Sequence, residues 1–248
     1  MAKKTDVTVF EDQLAALAAE TLEAEQSSQQ IAFLSTQGGT LKYRGNPIAG
    51  NALDCVILAA PVERLYYSQR YDPAKIVPPD CAAISILATG MKPVETAPAK
   101  QHATCEGCPK NEWGSSPTGG KGKACRETRR LLLIPADALT SAAAVETAEV
   151  AALRPPVTSL KNYATYAQTI AATYRRPPLS MITKVAVLPD PKTQFKVAFN
   201  MVKPIEDQSI IQALIIRAKK EAETAIANSA IALASPEQSE EQPQSTRF

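Results

Sequence analysis

The alternation of apolar and polar positions divides the chain into a β-rich middle with a helical segment at each end. Thr8 and Glu11 have the spacing of a capping box, and Phe10, Leu14, Leu17 and Leu22 follow at roughly helical intervals, so residues 9 to 25 are expected to form an amphipathic helix. From Ile31 the period shortens. IAFLST, a Gly38-Gly39 turn, TLKYR, LDCVILAA, RLYYSQ and AAISIL read as a succession of short strands. RLLLI at 130–134 is another, and an alanine-rich linker leads from it to a helix over about 159–174. There Leu160, Tyr163, Ala167, Ile170 and Tyr174 share one face, and Pro177-Pro178 ends the element. MITKVAVL and QFKVAFNMV, joined by PDPKT, form the clearest hairpin, with Phe195, Val197, Phe199 and Met201 on one side. A last helix over 206–230, with Ile211, Leu214, Ile215, Ala218 and Ile226 as its apolar stripe, precedes a polar tail.

A helix between RLLLI and the final hairpin, with no βαβ alternation, predicts a mainly β fold with flanking helices. The expected form is an OB-fold-like five-stranded antiparallel barrel with an inserted zinc-binding subdomain; an SH3-like barrel or a small β-sandwich is the alternative. The corresponding boundaries are an N-terminal helical extension over 1–29, the OB-like domain over 30–205 with its insertion at about 78–128, a C-terminal helix over 206–233, and a flexible, mildly acidic tail over 234–248.

Composition narrows the chemistry. With 248 residues and 45% apolar content the chain can bury a real core. No run approaches the 18 or so uncharged apolar residues of a membrane span, and the N-terminus lacks a signal-peptide core, so a cytoplasmic protein without membrane attachment is expected. In that compartment an odd count of five Cys does not read as a disulfide framework. The net charge of +2 conceals a basic middle: Lys100, Lys110, Lys121, Lys123, Arg126, Arg129 and Arg130 stand against three Glu between 100 and 130. Such a balance is compatible with binding a polyanion.

The cysteines carry the strongest signal. Cys105 and Cys108 form a Cys-x2-Cys knuckle, Cys125 follows it, and Cys81 precedes it in a Pro-Pro-Asp-Cys turn. Four thiolates can close a tetrahedral structural zinc site, which would order a Pro- and Gly-rich insertion that has little else to fold around. His102 is the rival to Cys81 for the fourth position, and Cys55, inside an apolar run, reads as a core thiol. Four Cys ligands leave no open position for catalysis. SSPTGGKGKA only superficially resembles a phosphate-binding loop, because Ser115 stands at the first Gly position and Gly122 at the final hydroxyl position. His102, the one His, sits beside the expected metal ligands, which argues against nucleophilic triad chemistry, so no enzyme activity is expected.

Tyr71-Asp72-Pro73, Pro78-Pro79-Asp80-Cys81 and the string CEGCPKNEWGSSPTGGKGKAC followed by RETRRLLLIP resemble a group of tailed-bacteriophage proteins regarded as single-stranded DNA-binding proteins with a zinc-containing insertion. The resemblance covers roughly residues 30 to 205 and departs at Ala82-Ala83, where an aromatic and a Ser are expected. It implies Cys81, Cys105, Cys108 and Cys125 as zinc ligands.

Single-strand binding without sequence preference needs cations along the backbone path and aromatic faces for the bases. Lys42-Tyr43-Arg44, Tyr66-Tyr67 with Arg70-Tyr71, and Trp113 near Lys121, Lys123 and Arg126 supply that interleaving. Glu237, Glu240, Glu241 and Phe248 in the tail are similar to the acidic, Phe-ended tips with which single-strand binders recruit replication or recombination proteins. The expected function is therefore non-enzymatic single-stranded DNA binding in phage replication or recombination, in the host cytoplasm, with oligomerisation through the terminal helices as an option. The alternative is a zinc-stabilised interaction module or accessory subunit of a nucleic-acid-processing complex.

Overall fold

A computed structural model of the chain describes residues 32–69, 77–117 and 119–227, together with Leu14, Leu17 and Ala18. The chain divides into two units, residues 1–32 and 33–248. In the first, Leu14, Leu17 and Ala18 are helical and exposed, and the rest of the helix expected over 9–25 lies outside the described residues.

The second unit is mainly β with a few helices. β1 (Ala32–Ser35) leads to a tight hairpin of β2 (Lys42–Tyr43) and β3 (Asn46–Pro47). Arg44 and Gly45 both adopt positive φ, 49° and 80°, as a two-residue primed turn requires. β4 (Ala52–Ala59) and β5 (Val62–Tyr66) follow almost without a break, then β6 (Cys81–Ser85), β7 (Cys125–Arg129), β8 (Leu131–Pro135) and β9 (Ala151–Leu153). The expected hairpin is β10 (Met181–Asp190) with β11 (Gln194–Pro204). A curled eight-stranded sheet runs in the order β11-β10-β4-β8-β9-β1-β2-β3, and a separate three-stranded sheet in the order β6-β5-β7. The sheet thus has more strands than the five expected. Beyond β8 the sheet carries four short strands, β9, β1, β2 and β3, two of which are only two residues long.

The segment expected as an alanine-rich linker holds two elements instead. Ser141 Oγ accepts a hydrogen bond from Ala144 N–H at 3.1 Å and starts helix α1 (Ala142–Thr147), whose alanines are the best helix formers. β9 then pairs antiparallel with β8, Leu131 opposite Leu153. Alanine is a weak strand former, but here the strand is buried against a neighbour that supplies the bulk.

Both faces of β4 and β8 are covered, which is why their sequences, CVIL and LLLI, are apolar without alternation. On one side Cys55, Ile57, Leu131, Leu133, Leu153, Val185, Val197 and Phe199 form the main core with Tyr163, Tyr166 and Ile170 of helix α2 (Leu160–Tyr174). Tyr163 meets Phe199 edge-on at 5.4 Å between ring centroids, and the Tyr166 hydroxyl is hydrogen-bonded to Thr183 Oγ1. Phe195 and Met201 pack on the same core, as their period predicts. Helix α3 (Gln208–Ala227) packs on β4 and α1. Its buried face is Ile210, Ala213, Leu214, Ala218, Glu221, Ala222 and Ala225, rotated from the expected stripe, so that Ile211, Ile215 and Ile226 fall at its flank. Small alanines let the helix approach closely, and Arg217, bonded to Glu221 at 2.7 Å and to the Ala148 carbonyl at 3.1 Å, closes the joint with α1.

β4–β5 and β7–β8 together form one long ribbon that leaves the large sheet and becomes the core of the small one. Arg130 N–H donates to the Pro61 carbonyl at 3.0 Å and continues the ladder across the corner, which the Arg129 side chain braces from Nη1 to the Ala60 carbonyl at 3.0 Å. At that corner Glu63, only 1% exposed, is paired with the equally buried Arg130 and with Arg154, whose Nε stands 2.6 Å from Glu63 Oε2. Burial works to raise the Glu63 carboxyl, and the two guanidinium groups, Arg154 first, outweigh it and hold it below the usual carboxylate range. No helix among the described residues is long and apolar enough to cross a membrane.

Candidate metal and nucleic-acid site

Strand register brings the cysteines together. Tyr66 is opposite Cys81 on one side and Cys125 on the other, so these three residues lie abreast across the small sheet, and Arg64, Ala83 and Glu127 form the next row on the same face. The knuckle folds over that face. Cys105 N–H donates to the Met91 carbonyl at 2.9 Å, while Asn111 donates from its backbone to the Cys108 carbonyl and from Nδ2 to the Cys105 carbonyl, at 2.9 and 2.8 Å. Cys105 packs with Val62, Ala83 and Met91 in a small core of its own.

Cys81, Cys105, Cys108 and Cys125 thereby line one cavity of about 20 Å³, together with Arg64, Tyr66 and His102. That volume suits a single water-sized or ion-sized guest. No group of three or more His, Cys, Asp or Glu side chains among the described residues is drawn together to hold a metal as it stands. The donor set nevertheless fits zinc in kind and number. Burial pushes the Cys105 thiol up, and pushes the Cys125 thiol up to about 12, with the neighbouring cysteines adding to the effect. Without a cation these two thiols resist ionisation, and a bound cation is what would reverse this. His102 is exposed at the cavity rim, its Nδ1 turned to the Thr104 backbone carbonyl at 2.9 Å and its ring over Gly107, and it lines the cavity together with Cys81. Cys55 is fully buried, its Sγ 3.5 Å from the Thr183 carbonyl and its thiol pushed up to about 12 by burial, as a core residue.

The loop beyond the knuckle closes on itself. Gly114 N–H and Ser116 N–H both donate to the Gly122 carbonyl, at 3.0 and 3.1 Å, and Ser115 Oγ donates to the Lys110 and Glu112 carbonyls while accepting from Ala124 N–H. This framework holds Trp113 outward, 78% exposed, beside an open cleft of about 390 Å³ lined by Trp113, Gly114, Gly120 and Lys121. Gly114 and Gly120 have φ of +88° and +82°, and a Cβ on either would meet nothing within 4 Å, so the glycines shape the turn and leave the cleft open. Lys123 Nζ stands 5.1 Å from the Trp113 ring centroid and 3.1 Å from Asn111 Oδ1, and Lys110 Nζ stands 5.2 Å from the Tyr66 ring.

The other residues expected to contact nucleic acid are spread out. Tyr66 and Arg126 lie on the small sheet, and Tyr67 follows just after β5, half-buried against Leu65, Ala82 and Val94. Lys42, Tyr43 and Arg44 lie at the far edge of the large sheet, where Tyr43 packs on the main core and Arg44 is engaged with Glu149 and lies 5.5 Å from the Tyr43 ring. Arg70 and Tyr71 lie outside the described residues, as does the tail over 234–248. Two groups therefore stand on two sheets, and the insert group has the exposed ring. Sequence patterning missed Arg64: a charged residue at a half-apolar strand position reads as solvated, and only the register shows it facing the cavity. No protein-family model, curated protein or solved structure matches the chain.

Proposed function

We propose that the protein binds single-stranded DNA without catalysing a reaction on it, in phage replication or recombination, and that its insert is ordered by one zinc ion held by Cys81, Cys105, Cys108 and Cys125. The curled sheet with α2 before the final hairpin serves in this reading as an OB-like platform, and the zinc insert as the part that meets DNA. The single observation that carries it is Trp113: an almost fully exposed indole on a hydrogen-bonded loop, next to an open cleft and flanked by Lys121 and Lys123. A flat ring costs free energy in water, and a base stacked on it with its phosphate near lysine offsets that cost. Zinc draws four thiolates to one point and so fixes the base of the loop that presents Trp113. Trp113 is the one Trp in the chain. Titration with oligo-dT should therefore quench the intrinsic fluorescence, whereas matched duplex should quench it much less; an unchanged spectrum at saturating oligonucleotide would rule out stacking at this ring.

A protein-interaction module is the second reading. Ile86 and Leu87, both exposed directly after β6, favour it, because two adjacent uncovered aliphatic side chains suit an apolar partner better than a phosphate backbone. Under that reading Ile86→Ser with Leu87→Ser abolishes partner capture and leaves oligo-dT binding as it was. Under the leading reading the tail and terminal helices, not this pair, recruit replication or recombination proteins or a second copy of the chain.

A further inference from the structure

Arg64 lies at the centre of the small sheet with its side chain nine-tenths buried, an unusual place for a guanidinium. Its Nε and Nη2 are both taken by Glu127 Oε2, at 2.8 and 2.7 Å. The remaining nitrogen, Nη1, is buried without a hydrogen-bond partner, and the residue lines the four-cysteine cavity. Cys105 lines the same cavity, in the small core under the sheet. An orphaned buried donor is costly, and native structures seldom tolerate one without an acceptor that arrives later.

We infer that Arg64 is the positioning and charge-balancing partner of the metal centre, its free Nη1 reserved for the cysteine thiolates. The inference rests on the zinc reading above. Four thiolates around one zinc ion carry a net charge of about minus two, and a buried anionic cluster needs a cation or several donors beside it. Lys110 also lines the cavity, but its ammonium is committed to the Tyr66 ring and reaches it from the rim. Arg64 is the buried cation on the cavity wall, and its charge is divided between Glu127, which is half exposed, and the thiolates. Partners of this kind orient the ligand and raise metal affinity, and their loss typically weakens binding about 10- to 100-fold.

The sign of two substitutions separates this role from plain packing. Arg64→Met removes the cation and keeps most of the volume. Glu127→Gln removes the competing carboxylate and keeps Arg64 in place. Zinc affinity is measured on the full chain by competition with a chromophoric chelator at fixed pH, and the thiolate-to-cobalt charge-transfer bands of the Co2+-loaded protein report the ligand set. Arg64→Met should bind zinc about 10- to 100-fold more weakly, Arg64→Lys should recover part of that loss, and Glu127→Gln should bind as tightly as the parent or tighter. Equal weakening in Glu127→Gln and Arg64→Met would show that the pair acts only as a brace, overturning the inference. So would an Arg64→Met affinity within threefold of the parent. A parent protein that takes up no zinc overturns the zinc reading and this inference together. If Arg64→Met fails to fold, Glu127→Gln alone decides by its direction.

Discussion

Replacing Glu63 with Gln tests the joint between the two sheets. The substitution keeps shape and removes one negative charge, leaving Arg130, 1% exposed, and the largely buried Arg154 facing each other without the carboxylate between them. Arg130 Nε already has no hydrogen-bond partner, so Arg130 is poorly placed to lose its carboxylate. Removing one partner of a buried ion pair costs about 3–5 kcal/mol. For a chain of this size each kcal/mol moves the melting temperature by roughly 2–4 °C, so the zinc-loaded variant should melt about 6–20 °C below the parent. The loss should also depend on pH. Because the Glu63 carboxyl is held below its ordinary value in the folded state, its contribution is complete above the unfolded value of about 4.3 and disappears as pH falls through the depressed folded value. Parent and variant stabilities should therefore converge in acid. Replacing Glu63, Arg130 and Arg154 together by Leu, Met and Met should restore stability to near the parent, since apolar substitutes for a whole buried ion cluster are often neutral or better. Urea unfolding at pH 7 and at pH 3–4 measures all three. A Glu63→Gln loss below about 1 kcal/mol, or one that is the same at both pH values, would refute the reasoning.

Elemental analysis of the purified protein should give one zinc per chain, lost in Cys108→Ser; retention in Cys81→Ser with loss in His102→Ala would move the fourth ligand to His102. Trp113→Ala should weaken oligo-dT binding by about 1–3 kcal/mol with little change in salt slope, and Trp113→Tyr should recover most of it. Lys121→Ala and Lys123→Ala should each lower the salt slope by roughly 0.7, the single-strand coefficient per phosphate contact, as read from affinities at several salt concentrations. Deleting residues 234–248 should raise apparent affinity at low salt, since acidic residues on a tether compete with phosphates for the same lysines; weaker binding after the deletion would contradict this.

The elements that sequence revealed most plainly are those with a strong period. The hairpin of β10 and β11 shows its alternation from Phe195 to Met201 because one face is core and the other solvent. That four cysteines line one cavity was legible for a different reason: Cys-x2-Cys spacing is a local signature that survives any surrounding fold. What sequence could not show is governed by register and helix rotation. Arg64 looks like one more basic residue until Cys81, Tyr66 and Cys125 are seen abreast and Arg64 in the next row. The face of α3 was misjudged because Ala213, Ala222 and Ala225 pack as well as the isoleucines beside them, and apolarity alone does not rank alanine against isoleucine for closeness of approach. Lys42, Tyr43 and Arg44 have the composition of a binding strip, yet Tyr43 is held by the core and Arg44 by Glu149, contacts more than a hundred residues away in sequence for the latter.

The central claim, that a zinc-ordered insert binds single strands, is tested most directly by fluorescence anisotropy of labelled oligo-dT titrated with the zinc-loaded full chain, before and after chelation, at two salt concentrations and with unlabelled duplex as competitor. The account predicts saturable binding that weakens with salt, persists against excess duplex, and is lost on chelation and regained with zinc. Absence of binding by the zinc-loaded protein, equal competition by duplex, or the same affinity after zinc is removed would contradict it.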